Sequence, residues 1–134
     1  MPPSIHSMPT ERLFFVYGTL RRGDDNDITQ LQPPPRFVAH ATIRGTMYHL
    51  GGYPGVALDN SSEIVGEVYA VSPELERKLD AIESEYPAQS DEYFKRDIQV
   101  EVNGELLDCC VYEINPAYVL GKPVIRCGDW VKGR

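Results

Sequence analysis

Residues 96–114 read RDIQVEVNGELLDCCVYEI, and the reading of this stretch decides the fold. Two runs rich in branched and apolar residues, Arg96 to Val102 and Leu106 to Ile114, flank Asn103-Gly104. Asn-Gly accepts the positive backbone dihedrals of the tight turn that matches the twist of paired strands, so the segment predicts an antiparallel hairpin. Along the first arm, Arg96 shares its parity with Ile98, Val100 and Val102, whereas Asp97, Gln99 and Glu101 point the other way. An arginine on an apolar face needs an anion, either a protein carboxylate or a bound acidic ligand.

Outward from the hairpin, most of the chain reads as strand. Leu13-Phe14-Phe15-Val16-Tyr17 is too short for a helix and ends at Gly18, which predicts a buried strand followed by a turn. Ile64 to Val71 places Val65, Tyr69 and Val71 on one face and Ile64, Val68 and Ala70 on the other, the pattern of a central or barrel strand. Phe37 to Leu50 fits two strands or one bent strand with a bulge at Gly45, and Gly51 to Gly55 is a loop. One segment reads clearly as helix: Ser72 caps it, Pro73 starts it, Leu75, Leu79 and Ile82 recur at i, i+4 and i+7, and Pro87 stops it. Between Arg21 and the prolines at 33–35 the chain is loop with one helical turn, and the tail beyond Gly121 reads as loop and a last short strand. Six or seven strands with one main helix predict an α+β fold whose sheet is curled or closed into a small mixed barrel.

Composition bounds the rest. The 134 residues fit one domain, taken as 13–134, behind a flexible extension of residues 1–12 that carries three prolines and no periodicity. Thirteen Lys plus Arg against twenty Asp plus Glu give a charge of −7, the wrong sign for tracking a phosphate backbone, so nucleic acid is not an expected partner. No apolar run approaches the ~20 residues of a membrane helix, and the amino-terminal residues lack the pattern of a secretory signal. Cys109, Cys110 and Cys127 form no CxxC pair and read as buried, reduced thiols of a cytoplasmic protein. His6, His40 and His49 have no second ligand at helical or finger spacing, so no metal site is expected.

Two places carry chemistry. The turn after the first strand, Tyr17-Gly18-Thr19-Leu20, offers backbone N–H groups that can cradle a carboxylate or a developing oxyanion, set against the plainer reading of an ordinary strand-to-loop turn. In Leu79-Asp80-Ala81-Ile82-Glu83, helical spacing turns Asp80 to water and brings Glu83 to the edge of the buried stripe. At the negative end of the helix the dipole disfavours an ionised Glu83, as suits a general acid/base, although a solvated helix-end glutamate is the plainer alternative.

With these pieces placed, the chain resembles the γ-glutamylcyclotransferase-like family, in particular its γ-glutamylamine cyclotransferase branch. The segments that carry the resemblance are Tyr17 to Gly23 with Asn26, Gly45 to Gly55, Gly66-Glu67-Val68-Tyr69, Leu79-Asp80 with Glu83, Tyr93 to Arg96 and Gly128-Asp129-Trp130. The resemblance implies a small mixed β-barrel, Glu83 as the acid/base, and substrate held by Tyr17, Gly18, Thr19 and Leu20. Arg96 joins them as a candidate for the substrate's carboxylate. It also implies a small-molecule γ-glutamyl substrate converted to 5-oxoproline and a free amine, with neither metal nor redox cofactor. Ser84 and Phe94 stand where the family pattern has Gly and Tyr, Tyr93 is one position off, and the acidic loop from Glu85 to Glu92 is long. Two other readings compete. One is a non-catalytic binder of an acidic metabolite or peptide end in the same pocket, and the other is a hydrolase with Cys127 as nucleophile.

Overall fold

The computed structural model describes residues 11–85 and 92–133, with the side chains of 83–85 excepted. Its strands are β1 (Arg12–Val16), β2 (Arg36–His49), β3 (Pro54–Val71), β4 (Tyr93–Val102) and β5 (Glu105–Ile114), and its helices are α1 (Pro73–Glu85) and the short α2 (Trp130–Gly133). The strands form one mixed sheet in the order β2-β3-β1-β5-β4. The central strand β1 pairs antiparallel with β3 and parallel with β5. The hairpin forms where the sequence predicts it, with Val102 opposite Glu105 and the turn residues Asn103 and Gly104 at φ 53° and 82°.

The α+β class stands and the closed barrel does not. The sheet ends at β2 and β4, which approach each other without pairing. Phe94, Lys95, Arg96 and Asp97 are all exposed along β4, and a charged edge of this kind does not invite a further strand. The strand count falls to five because two expected breaks are bends. β2 is continuous, and its pairing jumps from Gly45 with Ser62 to Thr46 with Ala57, so the irregularity expected at Gly45 is there and residues 58–61 of β3 bulge out of the ladder. The expected last strand is reduced to a bridge between Tyr48 and Val124 followed by α2.

Both faces of the sheet are covered, which is why β1 reads as a continuous apolar run. Leu13, Phe15 and Tyr17 pack inside the curl with Ile64, Val68, Val111 and Trp130. Phe14 and Val16 pack on the other face with Tyr69, Val71, Tyr112 and the helix residues Leu75 and Leu79. Ser72 caps α1 through its hydroxyl, which accepts from the amide of Leu75 at 3.1 Å. Both α1 leucines are fully buried, so either Leu→Ala change costs about 2–5 kcal/mol. The helix therefore holds its last turn against the end of β1. Pro87 and the extension up to residue 10 lie outside the described residues.

Candidate functional site

A cleft of about 450 Å³, counting its open mouth, lies where β1 leaves the sheet. Tyr17, Gly18, Thr19 and Leu20 form its floor. Ile82 of α1 and Tyr112 of β5 form one wall, and Tyr53, Pro54 and Tyr93 form the opposite rim. None of these lining side chains is charged in a molecule of charge −7.

The floor is fixed by its carbonyls. Those of Gly18, Thr19 and Leu20 accept from the amides of Arg21, Asn26 and Ile28, each at 2.9 Å. The Thr19 hydroxyl accepts from the Asn26 side chain at 3.1 Å. No acceptor among the described residues takes the N–H groups of Gly18, Thr19 and Leu20, so the floor has donors to give. Gly18 is needed for space: a Cβ there would stand 2.7 Å from the Pro54 ring, closer than real Cβ atoms come.

A buried ion network holds the floor from behind. Arg21 donates through Nε to Glu67 at 3.0 Å and through a terminal nitrogen to Asp129 at 2.9 Å. Glu67, 4% exposed, also accepts from the amide of Arg22 and the hydroxyl of Tyr69. Burial works against the charge on Arg21, but its bonds to the two carboxylates outweigh that and raise its pKa. Burial likewise pushes the Asp129 carboxyl up, and the hydrogen bond and charge of Arg21 outweigh it to hold Asp129 below the ordinary range. Sequence reasoning does not find this network, because its bonds span 46 and 108 residues.

Four tyrosines line the cleft, and each has its hydroxyl proton committed. Tyr17 donates to the Tyr112 carbonyl at 2.6 Å, Tyr112 to Asp80 at 2.8 Å, Tyr93 to the Pro54 carbonyl at 2.6 Å and Tyr53 to Glu92 at 2.5 Å. The Tyr17 oxygen also accepts from the amide of Val56 at 3.3 Å. Asp80 is partly exposed, as its helical position predicts, and also carries an ion pair to Lys95 at 3.1 Å.

Four candidate residues, Tyr17 to Leu20, come together in this cleft. Glu83 follows the lining residue Ile82 in α1, and its side chain lies outside the described residues. Arg96 is not in the cleft. Its side chain is half exposed, donates to Glu113 at 3.0 Å and stacks over Phe94, so the anion that its parity demands is a protein carboxylate. The apolar face of β4 runs out before Arg96 is reached, which alternation alone does not reveal. Cys109 and Cys110 are buried as expected, whereas Cys127 is exposed.

A curled mixed sheet, one covering helix and a cleft on a strand-exit turn, uncharged among the described residues, define a small α+β domain. The family model described as γ-glutamyl cyclotransferase, AIG2-like, matches residues 14–132, and the chain belongs to that family. Over 91 residues it is 36% identical to the γ-L-glutamyl-butirosin B γ-glutamyl cyclotransferase of Niallia circulans. That match covers 66% of this chain and little more than half, 56%, of the relative. Among solved structures it is similar to an AIG2-like protein of Mus musculus, with a TM-score of 0.69, 25% identity and 84% of each chain covered. The fold also matches c4763, a uropathogenic E. coli-specific protein, with a TM-score of 0.73 at 18% identity over 92% of this chain and 94% of that one.

Proposed function

We infer that the protein is a cyclotransferase that converts a γ-glutamyl amide or γ-glutamyl amino acid to 5-oxoproline and a free amine. The observation that carries this reading is the floor, where three amides without an acceptor among the described residues meet an uncharged cleft walled by the last turns of α1. An anionic α-carboxylate or an oxyanion is received there by N–H donors despite the acidity of the whole chain. Family membership supports the same chemistry.

The reaction needs no protein nucleophile. The α-amine of the γ-glutamyl group attacks its own γ-carbonyl, and the five-membered ring that forms supplies the proximity an intermolecular reaction lacks. One C–N bond forms as the amide C–N bond breaks. The α-ammonium, with a reference pKa of about 8, must first lose a proton, and the departing nitrogen must gain one. In this reading Glu83 takes the first proton and returns the last, while the Tyr17 to Leu20 turn orients the substrate. Release of 5-oxoproline from a panel of γ-glutamyl compounds tests it. Glu83→Gln is expected to lower turnover by about 10²–10⁴-fold with binding retained. Equal turnover by Glu83→Gln overturns the mechanism, and binding without product from any member of the panel supports a pure binding protein.

A further inference from the structure

A second groove, of about 620 Å³ counting its open mouth, lies between β2, β3 and the loop that follows β1. It shares no lining residue with the cleft. A bulge in β2 shapes it. The register passes from Phe37 opposite Tyr69 to Ala39 opposite Val68 and His40 opposite Glu67. Phe37 and His40 differ in parity, so an unbroken strand would turn them to opposite faces. The extra residue brings both to the face of β3 that carries Tyr69 and Glu67. Arg22 and Thr29 of the loop supply the remaining wall.

The groove holds an open ring beside a cation without a partner. Phe37 is 50% exposed and meets Tyr69 and His40 edge-on, with ring centroids 5.6 Å and 5.2 Å apart. The Arg22 guanidinium is exposed and makes no ion pair and no hydrogen bond among the described residues. The neighbouring carboxylates are already taken. Glu67 accepts from the Arg21 side chain, the Arg22 amide and the Tyr69 hydroxyl. Asp27 accepts from the amides of Gly23 and Thr29 and from the Thr29 hydroxyl. The charge of Arg22 reaches the base of the groove: burial and Glu67 push the Tyr69 hydroxyl up, and Arg22 pulls against them.

A guanidinium is a rigid fork that matches a carboxylate or a phosphate, and an open ring offers a surface on which a second ring stacks. We propose that this groove is a ligand site for a small molecule in which a planar ring carries one anionic group, with the anion on Arg22 and the ring on Phe37.

The test titrates the whole protein with indoleacetate and with adenosine monophosphate, which present the anion as a carboxylate and as a phosphate, and follows the backbone amide resonances. At least one of them is expected to bind and to shift the amides of Arg22, Phe37 and His40. Adenosine and inorganic phosphate, each with half of the pattern, are expected to bind at least about tenfold more weakly. Arg22→Gln keeps the backbone bond to Glu67 and is expected to weaken binding by about tenfold to a hundredfold, the range of a hydrogen bond to a charged group. Phe37→Leu is expected to weaken it by about twofold to tenfold, the range of an aromatic pair. No binding of either probe, equal binding of adenosine and its monophosphate, or shifts confined to Tyr17, Gly18, Thr19 and Leu20 of the cleft overturns the proposal. So does an Arg22→Gln protein that binds as tightly as the wild type.

Discussion

The floor and the rim of one cleft are built in opposite ways. The floor, Tyr17 to Leu20, has the carbonyls of Gly18, Thr19 and Leu20 committed within its own loop and a buried arginine bridging two carboxylates behind it. The rim sits at the starts of β3 and β4, where Tyr53 donates to Glu92 and Tyr93 to the Pro54 carbonyl. Among the described residues the floor is backed by an ion network and the rim is not. The proposed reaction is suited by such a division, because its γ-glutamyl end is constant and its leaving amine varies. Energy spent on rigidity serves the constant part, whereas single, replaceable contacts let the variable part be retuned.

The strongest way to break that contrast is to remove the buried cation. Arg21→Met removes the cation that bridges the carboxylates of Glu67 and Asp129, so unfolding stability is expected to fall by about 3–5 kcal/mol. Urea unfolding measures it, as a lower midpoint with the slope unchanged. A loss below about 1 kcal/mol would mean that the floor is held by its carbonyl bonds alone.

Acid and base sharpen the same point more gently. The depressed folded pKa of Asp129 contributes stability that is present above the ordinary value of 3.8 and is lost as pH falls through the folded value. On the two faces of the sheet, burial raises the thiols of Cys109 and Cys110 to about 12 and about 11. The raised values contribute stability that is complete below the ordinary 9.0 and declines as pH climbs toward the folded ones. A plateau in urea midpoint from about pH 4 to 9, falling on both sides, is the expected profile. Thiol titration gives a second reading: only the exposed Cys127 reacts in the native protein, and all three cysteines react in denaturant.

The contrast also explains what was legible. The hairpin, the capped helix and the bulge at Gly45 are local events, written in Asn103-Gly104, in Ser72-Pro73 and in one glycine within a strand-like run. The floor is legible for the same reason, since the small residues that shape a turn lie next to one another. Barrel closure was not, because it depends on whether two edges 50 or so residues apart pair, and β4 carries charge along the edge that would have to do so. Nor was the network behind the floor: Glu67 and Asp129 stand in segments that carry the family resemblance, but nothing local says that one arginine joins them. Glu92 is harder still, an acidic residue in an acidic loop whose composition suggests solvation and whose burial is set by packing against Tyr53.

Arg96 supplies the smallest expected effect and the cleanest control. It shares a strand face with buried Val100, and that parity made it a candidate for the substrate's carboxylate. Its guanidinium instead joins Glu113 at the exposed end of that face, outside the cleft. An ion pair in which one partner is half exposed is worth about 0–1 kcal/mol. Glu113 keeps a second bond, from the amide of Leu58 at 2.8 Å, so it is not stranded when Arg96 is removed. Arg96→Ala is therefore expected to shift the urea midpoint by at most that amount and to leave KM for a γ-glutamyl amide unchanged. A tenfold rise in KM without loss of stability would mean that Arg96 reaches the ligand, and the donors that receive the carboxylate would then extend from the floor to the far side of the hairpin.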